Sequence, residues 1–150
     1  MTLKQRIADD TKTALLGGNR FVAQTLSGLK AAILNEEIVQ NKRDTGLDES
    51  TVEQIIAREV KKRNESIKLY VQGGRPELAE VEQNEIDVIK GYLPQQLSEA
   101  DVQAIVDAVI KQMAASSMAD MGKVIGAVKS KVGNTADGAL VAGLVKKSLS

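Results

Sequence analysis

Histidine, cysteine and tryptophan are all missing from the 150 residues, and one phenylalanine and two tyrosines hold the aromatic share to 2%. Without cysteine there are no disulfides, thiolate metal sites or cysteine nucleophiles, which fits a reducing compartment. Without histidine the chain lacks the commonest metal ligand and the usual acid–base group of neutral pH. Proton chemistry would fall to Asp, Glu, Lys or Tyr with a strongly displaced pKa. So few aromatics leave an aliphatic core, which suits helices packed on helices. Lys and Arg total 20 and Asp and Glu 20, so the whole chain has no electrostatic pull on nucleic acid, and any such affinity must come from a local patch. No apolar run approaches the ~20 residues of a membrane span. The opening MTLKQRIADDTKTALL lacks the apolar stretch of a signal peptide, so a soluble cytoplasmic protein with no membrane contact is expected.

What is present is helical periodicity, with no sustained alternation of the strand type. Hydrophobic residues at 43% and charged residues at 27% predict a globular chain. Residues 3–16 put Leu3, Ile7, Ala14 and Leu15 on one face and stop at Gly17-Gly18. Asn19 is a cap for a helix running to about Gln40, with Phe21, Val22, Leu26, Leu29, Ile33 and Val39 inward. After a polar turn containing Gly46, Asp48 or Ser50 opens a long helix, Ser50 and Glu53 having capping-box spacing. Its stripe is Val52, Ile55, Ile56, Val60, Ile67 and Val71. Gly73-Gly74 ends it, and Pro76 begins an acidic helix to about Gly91, with Leu78, Val81, Ile86 and Ile89 inward.

GYLPQQLS, residues 91–98, reads as a domain boundary because Pro94 disfavours helix at Leu93. Ser98, followed by Asp101, restarts the chain. Val102, Ile105, Val106, Val109, Ile110 and Met113 form the next stripe. Ser117 with Asp120 has capping-box spacing before a helix with Met118, Met121, Val124, Ile125 and Val128 inward. Asn134 or Thr135 caps the last helix, which buries Leu140, Val141, Leu144, Val145 and Leu149. The expectation is an all-α protein of seven helices. A four-helix N-terminal domain with long helices spans 1–93, and a three-helix C-terminal bundle spans 94–150.

Enzymatic constellations are hard to find. There is no GxGxxG and no GxxxxGK[ST] loop to cradle a nucleotide. Ser116-Ser117 near Lys123 has the residue types of Ser–Ser–Lys amide hydrolysis, but the Gly/Ser-rich signature is absent and Ser117 is expected to serve as a cap. Glu77, Glu80, Glu82, Glu85 and Asp87 are read as solvating their helix and pairing with a basic neighbour rather than as a metal cage. No catalytic residue, metal or cofactor is therefore expected.

Binding features are easier to find. Between Lys111 and Lys147 six lysines face only Asp120 and Asp137, a local excess of positive charge in a neutral chain. Gly122 and Gly126 reduce side-chain relief beside Lys123, and Gly138 and Gly143 do so on the last helix. A phosphate backbone suits such a surface, with backbone N–H groups at helix starts and lysines beside them. Close crossing of helices explains the glycines equally well, and spacing leaves both readings open. Lys61, Lys62 and Arg63 form a second basic ridge, either a solvated face or an extension of a phosphate-facing surface.

SSMADMGKVIGAV and GNTADGALVAGLVKKSL resemble the tail domain of GatB/YqeY proteins, with its Met-x-Asp-Met-Gly-Lys-Val-Met/Ile-Gly helix and Gly-x-x-Ala-Asp-Gly turn. LSGLKAAILNEEI, EVKKRNESIKLY, GGRPELAEVEQNEI and GYLPQQLSE extend the resemblance to the rest of the chain. The likeness is to the stand-alone YqeY form, since the amidotransferase B subunit's kinase-like catalytic region has no counterpart. It implies an all-helical fold, a connection with transamidation of misacylated Glu-tRNA(Gln) or Asp-tRNA(Asn), and tRNA as partner. An amidotransferase or aminoacyl-tRNA synthetase would be a protein partner. A protein-interaction adaptor is the alternative. The family's association with carbon–nitrogen ligation from glutamine finds no ATP site or amidase nucleophile here, so the chain is not expected to be catalytic alone. On this reading Lys123, Lys129 and Lys131 meet phosphates and Gly122, Gly126 and Gly138 permit the approach. Lys61, Lys62 and Arg63 extend the site. Asn134-Thr135 stands where relatives often have a basic residue, which weakens phosphate contact at that turn.

Overall fold

The computed structural model describes residues 1–150, which form seven α-helices and three 3-10 turns without any strand. Packing divides them into two units, Met1–Leu93 and Pro94–Ser150.

The first unit holds α1 (Leu3–Leu16), α2 (Arg20–Val39), α3 (Glu49–Gln72) and α4 (Pro76–Ile89), followed by a 3-10 turn over Lys90–Tyr92. Thr2 caps α1 in a capping box with Gln5, and Gly18 ends it at φ +75°. Asn19 caps α2 by accepting from Val22 N at 3.2 Å. α3 is capped by Asp48, which accepts from Thr51 N at 2.8 Å. Ser50 lies inside the first turn, so the Ser50–Glu53 spacing does not mark the helix start. The neighbouring Glu49 carboxylate accepts from Leu3 N on α1 at 3.1 Å. That tertiary bond favours the earlier start.

Ile7, Leu26, Leu29, Ile33, Val52, Ile55, Ile56 and Ile89 make an aliphatic core. Each buried aliphatic side chain of this size contributes about 1.5–3 kcal/mol. The core is narrower than the periodicity implies: Leu15, Phe21, Val39, Val71 and Val81 are all exposed. Leu15 lies at the edge of α1's stripe, and Val39 and Val71 fall in the last turn of their helices, where no facing helix covers them.

Three polar side chains take part in the core instead. Thr11 and Thr25 donate to the carbonyls of Ile7 and Phe21 at 2.7 and 2.9 Å. Glu37, wholly buried, receives Lys4 Nζ on both carboxylate oxygens at 2.9 and 2.8 Å. Tyr92 closes the unit. It is buried, donates to Asp10 Oδ2 at 2.6 Å, and lies under the Arg6 guanidinium at 4.7 Å.

The second unit holds α5 (Glu99–Met113), a 3-10 turn at Met118–Asp120, α6 (Met121–Val132), a 3-10 turn at Gly133–Thr135 and α7 (Gly138–Leu149). Its core is almost all valine: Val102, Val106, Val109, Val124, Val128, Val132, Val141 and Val145, closed by Leu144 and Leu149. Ser98 and Asp101 form a full capping box on α5. Two expected caps do not form. Ser117 is not a side-chain cap, because α6 is entered through the 3-10 turn, and Asp120 Oδ2 accepts from Ser116 N at 3.2 Å. Met118 consequently points outward. Neither Asn134 nor Thr135 caps α7; Asp137 does, accepting from Ala139 N at 3.3 Å, and the Thr135 hydroxyl donates to Val132 O.

Candidate nucleic-acid interface

α6 owes its orientation to Val124, Val128 and Val132, spaced four apart and buried. Its far side is therefore exposed, and Gly122 and Gly126 lie there. A methyl group built on either would meet nothing within 4 Å, and the same holds for Gly143 on α7. Close helix crossing thus does not explain these three glycines. Gly138 is different: a Cβ there would stand 3.3 Å from Lys129 Cε and 3.4 Å from Nζ, so this glycine makes room for a lysine stem.

At 100° per residue, Lys129 and Lys123 flank the Gly122–Gly126 strip on opposite sides, whereas Lys131 falls about 140–180° away. The structure thus brings Lys123, Lys129, Gly122, Gly126 and Gly138 together and leaves Lys131 apart. Lys146 and Lys147 flank Gly143 and Ala139 on α7 in the same way. The spacing 139, 143, 146, 147 carried that signal, and these residues belong with the site. All six lysines of this unit are exposed. None has a carboxylate within ion-pair distance, since the ion pairs all fall between Lys4 and Lys90. No hydrogen bond joins the Ser116 or Ser117 hydroxyl to Lys123.

The helix starts are less suited to an anion than their sequence suggests. Met121 N, at the head of α6, already donates to Met118 O. At the head of α7 the Asp137 carboxylate occupies the place a phosphate would take. The cationic character of this surface rests on its lysines.

The second ridge is built otherwise. Arg63 is mostly covered, with Nε 2.8 Å from Glu85 Oε2 and Nη1 3.1 Å from Glu59 O. Lys62 Nζ stands 3.3 Å from Glu59, and Lys61 is exposed. Two of the three cations are thus spent joining α3 to α4 and to α3's own acids. On α4, burial and the repulsion of Glu85 raise the Glu82 carboxyl above its ordinary range. The acids of α4 do not converge with others into a metal-holding group of three.

The profile of the Yqey-like protein family matches residues 4–149. The chain is 31% identical over 110 residues to "Altered inheritance of mitochondria protein 41, mitochondrial" of Lachancea thermotolerans, covering 72% of this chain and 58% of that one. The Kluyveromyces lactis protein of the same name is 31% identical over 86 residues, 57% of this chain and 45% of its own. That of Eremothecium gossypii is 33% identical over 87 residues, 58% and 46%. The chain spans about half the length of these curated relatives.

Proposed function

The chain belongs to the YqeY-like family, and from that premise we propose that it is a non-catalytic tRNA-binding protein. It works alone or beside an amidotransferase or aminoacyl-tRNA synthetase in transamidation of misacylated tRNA. The observation that carries this reading is the exposed glycine strip of α6, flanked by unpaired Lys123 and Lys129. Small residues let a phosphate backbone approach, and free ammonium groups stand on both sides to receive it. Lys131 and Lys61 contribute at the margins, and the strip on α7 extends the surface. The two packing units act as two domains in this reading, with the RNA surface on the C-terminal three-helix one.

Titration of tRNA at two salt concentrations tests it. Log K should fall with log[salt] by roughly 0.7–0.9 per phosphate contact. Absence of binding at low salt sinks the proposal.

A second reading, the protein-interaction adaptor, draws on Met113 and Met118, which are 41% and 43% exposed on either side of the α5–α6 connection. Flexible thioethers suit adaptable protein contacts. Pull-down with the wild type and Met118→Asp separates the two: loss of a protein partner with tRNA affinity intact favours the adaptor. A glutamine- and ATP-dependent product from the purified chain would establish carbon–nitrogen ligation instead, and none is expected. This reading keeps the chain in the cytoplasm. Recovery from a mitochondrial fraction would move it to the compartment named for its relatives without touching the RNA claim.

A further inference from the structure

Between α2 and α3 runs a groove of about 310 Å³ that the RNA surface does not use. Its floor is Ile55 with Ala32, and Gly28 forms part of its wall. A methyl group on Gly28 would meet nothing within 4 Å. Glycine in a helix interior is unfavourable relative to alanine, and here no packing contact requires it. What Gly28 provides is space in the groove.

The rim carries charges of both signs, and Glu36 already accepts from Gln40 Nε2 through Oε1 at 2.8 Å, leaving Oε2 to face the groove's cations. Arg58 Nη1 stands 4.0 Å from Glu36 Oε2, too long for a hydrogen bond. The guanidinium is thus held near Glu36 by charge alone, and a ligand carboxylate can take its donor fork without breaking a hydrogen bond. The Asn35 amide, also on the rim, makes no hydrogen bond within the protein. Glu59 and Lys62, 3.3 Å apart, complete the rim. Cations and carboxylates thus stand within two helical turns of each other above an apolar floor.

We propose that this groove is a binding site for a small zwitterion of the α-amino acid class. The ligand's carboxylate takes the Arg58 fork, which matches it bidentately. Its ammonium lies against Glu36 and Glu59, and Asn35 supplies a further polar contact. An apolar side chain fills the space over Ile55 that Gly28 leaves open. A volume at the low end of small-molecule sites matches a ligand of this size.

L-Leucine, leucinamide and N-acetylleucine are the probes, titrated into the full chain and followed by backbone amide shifts. Leucine should move the signals of Gly28, Ala32 and Ile55 at millimolar concentration. Leucinamide lacks the carboxylate and N-acetylleucine lacks the ammonium, and each should bind at least about tenfold more weakly, as loss of a charge-assisted contact implies. Gly28→Leu should abolish binding. Gly28→Ala is the control for folding: it should raise the melting temperature while weakening leucine. Unmoved signals with leucine, or equal binding of all three probes, would overturn the proposal. So would full affinity in a folded Gly28→Leu protein. Because the readout lies on α2 and α3, its failure leaves the tRNA titration unaffected.

Discussion

Single residues decide what each surface can do. Lys129→Glu and Lys123→Glu should each weaken tRNA binding and lower the salt slope by about 0.7–0.9 per lost contact. Lys131→Glu should change less, because it lies across the helix from the glycine strip; fluorescence anisotropy at several salt concentrations checks the order. Gly126→Ala should stabilise the fold by roughly 0.5–1 kcal/mol, since nothing stands in the way of its methyl group. Gly138→Ala should show no such gain, its Cβ lying 3.3 Å from Lys129 Cε; thermal melts separate the two.

Burial and hydrogen bonding to Asp10 raise the Tyr92 phenol above its ordinary range. A folded pKa above the unfolded one means that the stabilisation is complete below about pH 10, the ordinary tyrosine value, and is lost as pH rises beyond it. Wild type should therefore lose stability more steeply than Tyr92→Phe in alkaline denaturant titrations. Neither Tyr92 nor Glu37 could be read as core from sequence. Tyr92 stands in a polar linker pattern, and Glu37 looks like one of two solvated acids until Lys4 arrives from 33 residues away. Their burial depends on partners that local periodicity does not contain.

At the level of helices, most boundaries were legible because glycine, proline and capping residues punctuate this chain sharply. α1 begins and ends where its apolar stripe and Gly17-Gly18 place it. The starts of α3 and α7 were ambiguous for one reason: several Ser, Thr, Asn and Asp residues stand within a few positions of each other, and any of them can accept from the first turn. α6 was expected to open at Ser117 and is instead entered through a 3-10 turn. Asp48 prevails through geometry that includes the Glu49–Leu3 contact. Asp48→Ala should accordingly destabilise the fold, because it removes the side chain that accepts from Thr51 N at the head of α3, as urea denaturation would show. The glycines of α6 show the other limit. Periodicity placed them on a helix opposite the valines, yet whether another helix covered that side was a tertiary fact.

Over the whole molecule, charge is distributed unevenly in a way that the net value of zero conceals. The first unit ties many of its cations to its own carboxylates: Lys4 to Glu37, Arg63 to Glu85, Lys62 to Glu59. The second unit forms no ion pair, and its lysines project from α5, α6 and α7 into solvent. Local charge counting exposed the second pattern, because only Asp120 and Asp137 occur between Lys111 and Lys147. It could not show that the ridge at Lys62 and Arg63 is largely neutralised, since Glu85 belongs to a different helix.

This division makes ionic strength act unequally on the two units. Added salt screens the attractions that join α1 to α2 and α3 to α4, loosening the first unit slightly. The second unit sets its six lysines beside five carboxylates with no ion pair among them, so it has no such contact to lose and should respond less to salt. Heat capacity traces recorded from low to high salt should therefore change in breadth more than in midpoint, so the cooperativity of melting becomes a gauge of where the unpaired charge resides.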